Sequence, residues 1–119
     1  MKIDFLKNSF VSVNEKQIKN WGFFQILYEE TPLKIKKLFL FPNSSTSMQM
    51  HLNRAEYWFI VKGEANVILN NKELLLKEGE SIYIKTQDIH KLLNKSREEL
   101  IVIEIQIGTQ CSEEDIIRY

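Results

Sequence analysis

The stretch from Gln49 to Gly63 reads Gln-Met-His-Leu-Asn-Arg-Ala-Glu-Tyr-Trp-Phe-Ile-Val-Lys-Gly and gathers several candidate metal ligands. Gln49 and His51 are two residues apart, so their side chains would share one face of a β-strand. Glu56 follows across a short connection, at the start of an apolar run that Gly63 closes. Divalent metals accept imidazole, carboxylate and amide oxygen donors, so the stretch predicts part of a metal site.

Short apolar runs separated by turn residues continue on both sides of this stretch, as is typical of β-strands. They predict strands at residues 23–28, 33–41, 47–51, 57–61, 64–69, 74–76, 81–84, 91–94 and 100–107. Asn70-Asn71 fits a tight hairpin turn, and Asn43 can take the left-handed conformation usually given to glycine. A helix would fit only at the two ends of the chain. We therefore predict an all-β fold, an antiparallel barrel or a two-sheet jelly roll.

The chain has 119 residues, enough for one hydrophobic core but too few for a second domain of ordinary size. We predict an N-terminal extension at 1–20, packed on or swapped onto a domain at 21–119. The formal net charge is zero with both signs interspersed, so there is no general electrostatic case for nucleic acid or an anionic membrane as a partner. A local basic pocket for a phosphorylated small molecule is compatible with this balance.

The single cysteine, Cys111, cannot form an internal disulfide, which fits a reducing compartment. No apolar run approaches the length of a membrane span. Asp4 and Lys7 interrupt the apolar residues at the start of the chain, which is unlike a signal peptide. We therefore predict a cytoplasmic protein.

The last predicted strand, 100–107, has two different faces. One face is a row of isoleucines: Ile101, Ile103, Ile105 and Ile107. The other face changes from apolar to polar along the strand and consists of Leu100, Val102, Glu104 and Gln106. A barrel with one sealed end and one open, polar end would place this mixed row inside, with Glu104 and Gln106 at a pocket mouth. The alternative is that the mixed row faces water.

The chain resembles the cupin superfamily in both of that family's sequence motifs. The first motif has two histidines one residue apart, then glutamate, then glycine, and those positions hold Gln49, His51, Glu56 and Gly63. The second motif has glycine, then proline and another glycine in a turn, then histidine and asparagine. Its first glycine, its histidine and its asparagine correspond to Gly79, His90 and Asn94, while Lys85 and Gln87 replace the proline and the second glycine. The resemblance implies a single-domain cupin, a double-stranded β-helix of jelly-roll type.

A closer resemblance is to the C-terminal cupin domain of type II mannose-6-phosphate isomerases, which is commonly fused behind a mannose-1-phosphate guanylyltransferase. It covers residues 21–119 and is carried, in order, by Trp21-Gly22, 34–42, Gln49-Met50-His51, Arg54-Ala55-Glu56, Trp58, Gly63, Gly79, Tyr83-Ile84, His90, 104–108 and 114–118. No glycine-rich phosphate loop precedes the match, so only the isomerase half is implied.

The resemblance implies roles for particular residues. A divalent metal, zinc before manganese, iron, cobalt or nickel, would be bound by Gln49, His51, Glu56 and His90. Catalysis would use Glu104 as the proton carrier and Arg118 on the phosphate. Substrate contacts would come from Lys37, Arg54, Trp58, Lys85 and Gln106. The implied reaction interconverts mannose 6-phosphate and fructose 6-phosphate.

Two other functions remain open on the same scaffold. One is a non-catalytic metal-binding cupin that binds a sugar or another small molecule in polysaccharide biosynthesis, and the other is a metal-dependent dioxygenase. In each case the partner is a small molecule. The apolar rows at Phe39 and Phe41 and at 101–107 fit either a core or a dimer face, and we predict a homodimer.

Overall fold

The computed structural model describes residues 15–119, and every regular element in this range is a β-strand. The strands are β1 (Lys16–Lys19), β2 (Gly22–Glu30), β3 (Leu33–Leu40), β4 (Ser44–Ser45), β5 (Gln49–Met50), β6 (Arg54–Lys62), β7 (Ala65–Leu69), β8 (Lys72–Leu76), β9 (Ser81–Ile84), β10 (His90–Asn94), β11 (Leu100–Gly108) and β12 (Ile117–Arg118). The prediction of an all-β fold is confirmed. Within the described range, no helix is long and apolar enough to cross a membrane.

The strands form two antiparallel sheets. The first sheet has the order β9-β6-β11-β3-β2-β1, and the second has the order β12-β5-β10-β7-β8, with β4 also paired to β10. Apolar side chains from both sheets form one core, which includes Leu40, Ile60, Val67, Leu92 and Leu100, all without exposed surface. Burying a side chain of this size contributes about 1.5–3 kcal/mol, so this shared core holds the two sheets face to face.

The inner face of the first sheet is apolar at one end and polar at the other. In the register of β3 and β11, Leu40 lies opposite Leu100 at the apolar end, and Lys36 lies opposite Glu104 at the polar end. All four side chains are buried. The mixed row of β11 therefore faces inward, and the alternative that it faces water is excluded.

The isoleucine row of β11 lies on the outer face of the same sheet. Its members are half-buried, except for Ile107, which is 45% exposed. Phe39 of β3 shares this face and stacks on Phe23 of β2. The isoleucine row is therefore not part of the core, which was one of its two predicted roles. Its other predicted role, as a dimer face, stays a prediction.

The predicted turns take the backbone conformations that were expected from their residue types. Asn43, Asn70 and Asn71 all have positive φ, with values of 61°, 50° and 74°. Gln87 also has a positive φ of 71°, at the position where the cupin motif carries glycine. The loop before β10 thus keeps a left-handed residue without a glycine.

Several boundaries differ from the predicted ones. Strand β6 begins at Arg54, three residues before the predicted start at Tyr57, and His51 lies just after β5 instead of inside a strand. Part of the predicted extension is strand β1, which pairs with β2 at the sheet edge. Residues 1–14 of that extension lie outside the described range.

Candidate metal centre

Three metal donors meet between the two sheets at their polar end. His51 follows β5, Glu56 lies in β6, and His90 begins β10. The Nε2 atom of His51 lies 3.2 Å from Oε2 of Glu56, and Nε2 of His90 lies 3.9 Å from Oε1 of the same carboxylate. Their candidate ligand atoms are all within 4.8 Å of one another, and each side chain is only 2% exposed. This grouping suits a single metal ion.

Backbone carbonyls fix the orientation of both imidazole rings. Nδ1 of His51 lies 2.7 Å from the carbonyl oxygen of Asp115, and Nδ1 of His90 lies 2.8 Å from that of Asp88. A carbonyl oxygen only accepts hydrogen bonds, so each Nδ1 carries a proton and each Nε2 keeps its lone pair. Burial lowers the pKa of His90 and favours its neutral form. Metal-binding histidines are oriented in this way, so the residues present fit a metal.

Glu56 is held by two further side chains. Nε of Arg54 donates to Oε2 at 3.0 Å, and Nε1 of Trp58 donates to Oε1 at 3.0 Å. Burial opposes ionisation of Glu56, and the adjacent guanidinium of Arg54 favours it. The remaining Arg54 nitrogens donate to Nε2 of His51 at 3.3 Å and to the carbonyl of Ser112 at 2.8 Å. A metal ion bound here would therefore compete with Arg54 for the lone pair on Nε2 of His51.

Gln49 completes the predicted ligand set. It lies directly opposite His90 in the β5–β10 register, which places both side chains on one face. Its amide nitrogen donates to the carbonyl and hydroxyl oxygens of Ser47, at 3.3 and 3.1 Å. This orientation leaves the amide oxygen as the donor that Gln49 can offer to a metal.

A cavity of about 410 Å³ opens beside these donors. Of the predicted site residues, its lining includes Gln49, Arg54, Glu56, Trp58, His90, Glu104 and Arg118. His51 contacts Arg54 and Glu56 but is not part of the wall. Trp58 is buried in the core and holds Glu56, so its surface available to a sugar ring is small.

Glu104 and Gln106 form a buried pair on β11. Nε2 of Gln106 donates to Oε2 of Glu104, while Oε1 of Gln106 has no hydrogen-bond partner among the described residues. Gln106 is completely buried and does not line the cavity, so it orients Glu104. Burial, and then the negative charge of Glu56, raise the pKa of Glu104. A carboxylate whose pKa is raised is a stronger base than an ordinary exposed one, which suits a proton carrier.

Two predicted substrate contacts are corrected by the structure. Side chains alternate along β3, so Lys36 points inward to the cavity and Lys37 points to the outer face of the sheet. Lys85 is exposed in the loop after β9, away from the cavity lining. The sequence analysis did not identify Lys36. It lies two and four residues before the core residues Leu38 and Leu40, so alternation along the strand would have placed it on the same inward face.

The segment after β11 also contributes to the site through two residues that received no role from the sequence, Glu113 and Asp115. The carboxylate of Asp115 accepts hydrogen bonds from the backbone N–H groups of Leu52 and Asn53, at 3.0 and 2.9 Å. Nζ of Lys36 donates to Oε2 of Glu113 at 2.8 Å. This segment therefore closes over the turn that carries His51 and over one wall of the cavity.

Comparison with known proteins identifies the family and the fold of the chain. The family model described as Mannose-6-phosphate isomerase C-terminal matches residues 7–119. The chain belongs to this family. A mannose-1-phosphate guanylyltransferase of Salmonella muenchen is 33% identical over 119 residues, which is 98% of this chain and 25% of that protein. The alginate biosynthesis protein AlgA of Pseudomonas aeruginosa is 36% identical over 98 residues, which is 82% of this chain and 20% of that protein.

The chain thus spans a quarter or less of the length of these relatives. Among solved structures, a Klebsiella pneumoniae protein with a double-stranded β-helix domain superposes with a TM-score of 0.69 at 18% identity, covering 74% of this chain and 77% of that one. The cupin domain of Schizosaccharomyces pombe Cnp3 superposes with a TM-score of 0.70 at 13% identity, covering 72% and 64%. These likenesses confirm the cupin fold that the sequence motifs predicted.

Proposed function

We propose that this member of the family binds a sugar phosphate of polysaccharide biosynthesis at a divalent-metal centre. The observation that carries the proposal is the shared cavity, in which the metal donors Glu56 and His90 lie beside the cationic side chains of Lys36, Arg54 and Arg118. Relatives named for mannose 1-phosphate and for alginate support a phosphorylated sugar as the ligand.

The metal would be held by Gln49, His51, Glu56 and His90. One carboxylate and three neutral donors leave a net positive charge on a divalent ion, which suits zinc and also manganese, iron, cobalt or nickel. When bound, the ion would polarise sugar oxygens as a Lewis acid. The cations on the cavity wall would bind the phosphate, and arginine offers it a planar, bidentate fork.

Isomerisation of mannose 6-phosphate to fructose 6-phosphate is a second candidate, and the position of Glu104 favours it. Its carboxyl lines the cavity, is 7% exposed, and has a pKa raised by burial. As a base, Glu104 would take a proton from carbon 2 of the aldose and return it to carbon 1, while the hydroxyl proton of carbon 2 passes to the oxygen on carbon 1 through an enediol. Gln106 would hold the carboxyl in place during both transfers.

Three measurements test the two candidates. Metal analysis of protein purified without chelators should find about one divalent ion per chain, and calorimetry should show binding of mannose 6-phosphate but not of mannose. A coupled assay with mannose 6-phosphate then separates binding from catalysis. Binding without turnover would eliminate the isomerase, and the absence of both metal and sugar-phosphate binding would eliminate the whole proposal.

A further inference from the structure

Lys36 is a buried cation whose partner is an exposed anion. Its ammonium group donates to Oε2 of Glu113 at 2.8 Å and lies 4.1 Å from the centre of the Phe24 ring. The side chain of Lys36 is 5% exposed, whereas that of Glu113 is 47% exposed. Both residues line the cavity.

The two partners differ in how firmly they are held. Lys36 belongs to β3, which pairs with β2 on one side and β11 on the other, so the ammonium cannot leave the cavity without disrupting the sheet. Glu113 lies in the segment between β11 and β12, outside the strand pairing. Its carboxylate can turn into water with little loss of packing, because about half of its surface is already exposed.

The Glu113 carboxylate also lies in the positive field of the cavity. Although burial opposes its ionisation, Lys36, and then the charges of Arg54 and Lys34, hold its pKa below the usual value. A phosphate group entering the cavity would meet the same cations. The Glu113 carboxylate and the ligand phosphate are therefore alternatives on Lys36.

We propose that Glu113 is a displaceable internal counter-ion that neutralises Lys36 until the phosphate of a ligand replaces it. The inference rests on the proposed sugar-phosphate site and adds to it a residue that sets the affinity for phosphate. One anion replaces another, so the buried ammonium is never left unpaired, which would be costly. A neutral sugar cannot make this exchange, so Glu113 competes only with ligands that carry an anionic group.

The test is calorimetric titration of the metal-loaded protein with mannose 6-phosphate and with inorganic phosphate. Glu113→Gln removes the competing charge, and we expect its affinity for both probes to rise about tenfold, because a charge-assisted hydrogen bond of about 1.4 kcal/mol no longer has to be broken. Glu114→Gln is the matched control. It makes the same charge change at the neighbouring, exposed position, and its affinity should change less than about twofold.

The outcomes separate this inference from the function on which it rests. If wild type binds mannose 6-phosphate and Glu113→Gln binds it equally or more weakly, Glu113 is not a competitor. Equal gains in Glu113→Gln and Glu114→Gln would also overturn the inference, because they would reflect net charge alone. If neither wild type nor the variants bind either probe, the sugar-phosphate function itself fails. Adding Lys36→Met to Glu113→Gln should abolish the gain, since the gain acts through this ammonium.

Discussion

Removing the Asp115 carboxylate should cost both stability and metal affinity. Asp115 is 6% exposed and accepts hydrogen bonds from the backbone of Leu52 and Asn53 and from the side-chain amide of Asn53, at 3.0, 2.9 and 3.4 Å. Asp115→Ala leaves two partly buried N–H groups without their acceptor, at about 1–1.5 kcal/mol each. We therefore expect the free energy of unfolding to fall by about 2–3 kcal/mol.

The same change should reach the metal centre through the backbone. The carbonyl oxygen of Asp115 remains in Asp115→Ala, but its position over Nδ1 of His51 is no longer fixed by the carboxylate. Loss of such support for a ligand typically lowers metal affinity about 10–100-fold, and we expect a value near the lower limit. Asp115→Asn keeps one acceptor oxygen and should show about half the loss of stability.

Urea denaturation with chelator present and zinc calorimetry measure the two effects separately. Glu114→Ala, at the exposed neighbouring position, is the control and should stay within about 0.5 kcal/mol of wild type. The reasoning is refuted if Asp115→Ala also stays within that margin and binds zinc as tightly as wild type. Lost stability with unchanged zinc affinity would refute only the link from Asp115 to His51.

Three further changes test other parts of the structure. His90→Ala should lose stoichiometric metal, measured by elemental analysis, and retained metal would remove this residue from the ligand set. The pKa of Glu104 is raised, so its contribution to stability is present at low pH and lost as pH rises through the raised pKa. Glu104→Gln should therefore flatten the decline in unfolding free energy that sets in above the ordinary glutamate pKa of 4.5, measured by urea denaturation at a series of pH values, and an unchanged decline would contradict the burial of its charge. Gly22→Ala would place a Cβ 1.8 Å from the carbonyl oxygen of Phe39, whereas a Cβ at Gly79 meets nothing within 4 Å, although both glycines have positive φ. Thermal unfolding should show a loss above about 3 kcal/mol for Gly22→Ala and about 1 kcal/mol for Gly79→Ala, and equal losses would contradict the close approach.

The fold was predictable because its strands and turns are specified by short stretches of sequence. Asn70-Asn71 marks a hairpin by composition alone, and the alternation in 100–107 distinguishes an outer isoleucine row from an inner mixed row. The candidate metal ligands could be predicted from their spacing in the sequence and from the resemblance to cupins. All of these signals are short-range in sequence.

The cationic side of the cavity was harder to predict, because there charged residues occupy the inward positions of β3. Side chains alternate between the two faces of the sheet along Leu33–Leu40. The buried face includes Lys34 and Lys36, and the outer face includes Ile35 and Phe39. A pattern that places apolar residues inward assigns Lys34 and Lys36 to solvent, so hydrophobic periodicity does not identify Lys36 as a cavity residue. The contacts of Asp115 and Glu113 depend on tertiary closure across more than sixty residues, which no local pattern reports.

The position of β11 at the centre of the first sheet has a consequence for synthesis of the chain. It pairs with β3 on one side and β6 on the other, so neither strand can complete its pairing until residues 100–108 have left the ribosome. Until then the nascent chain presents two open sheet edges, flanked by exposed aromatic side chains such as Phe59. Truncation before Leu100 should therefore yield insoluble aggregates.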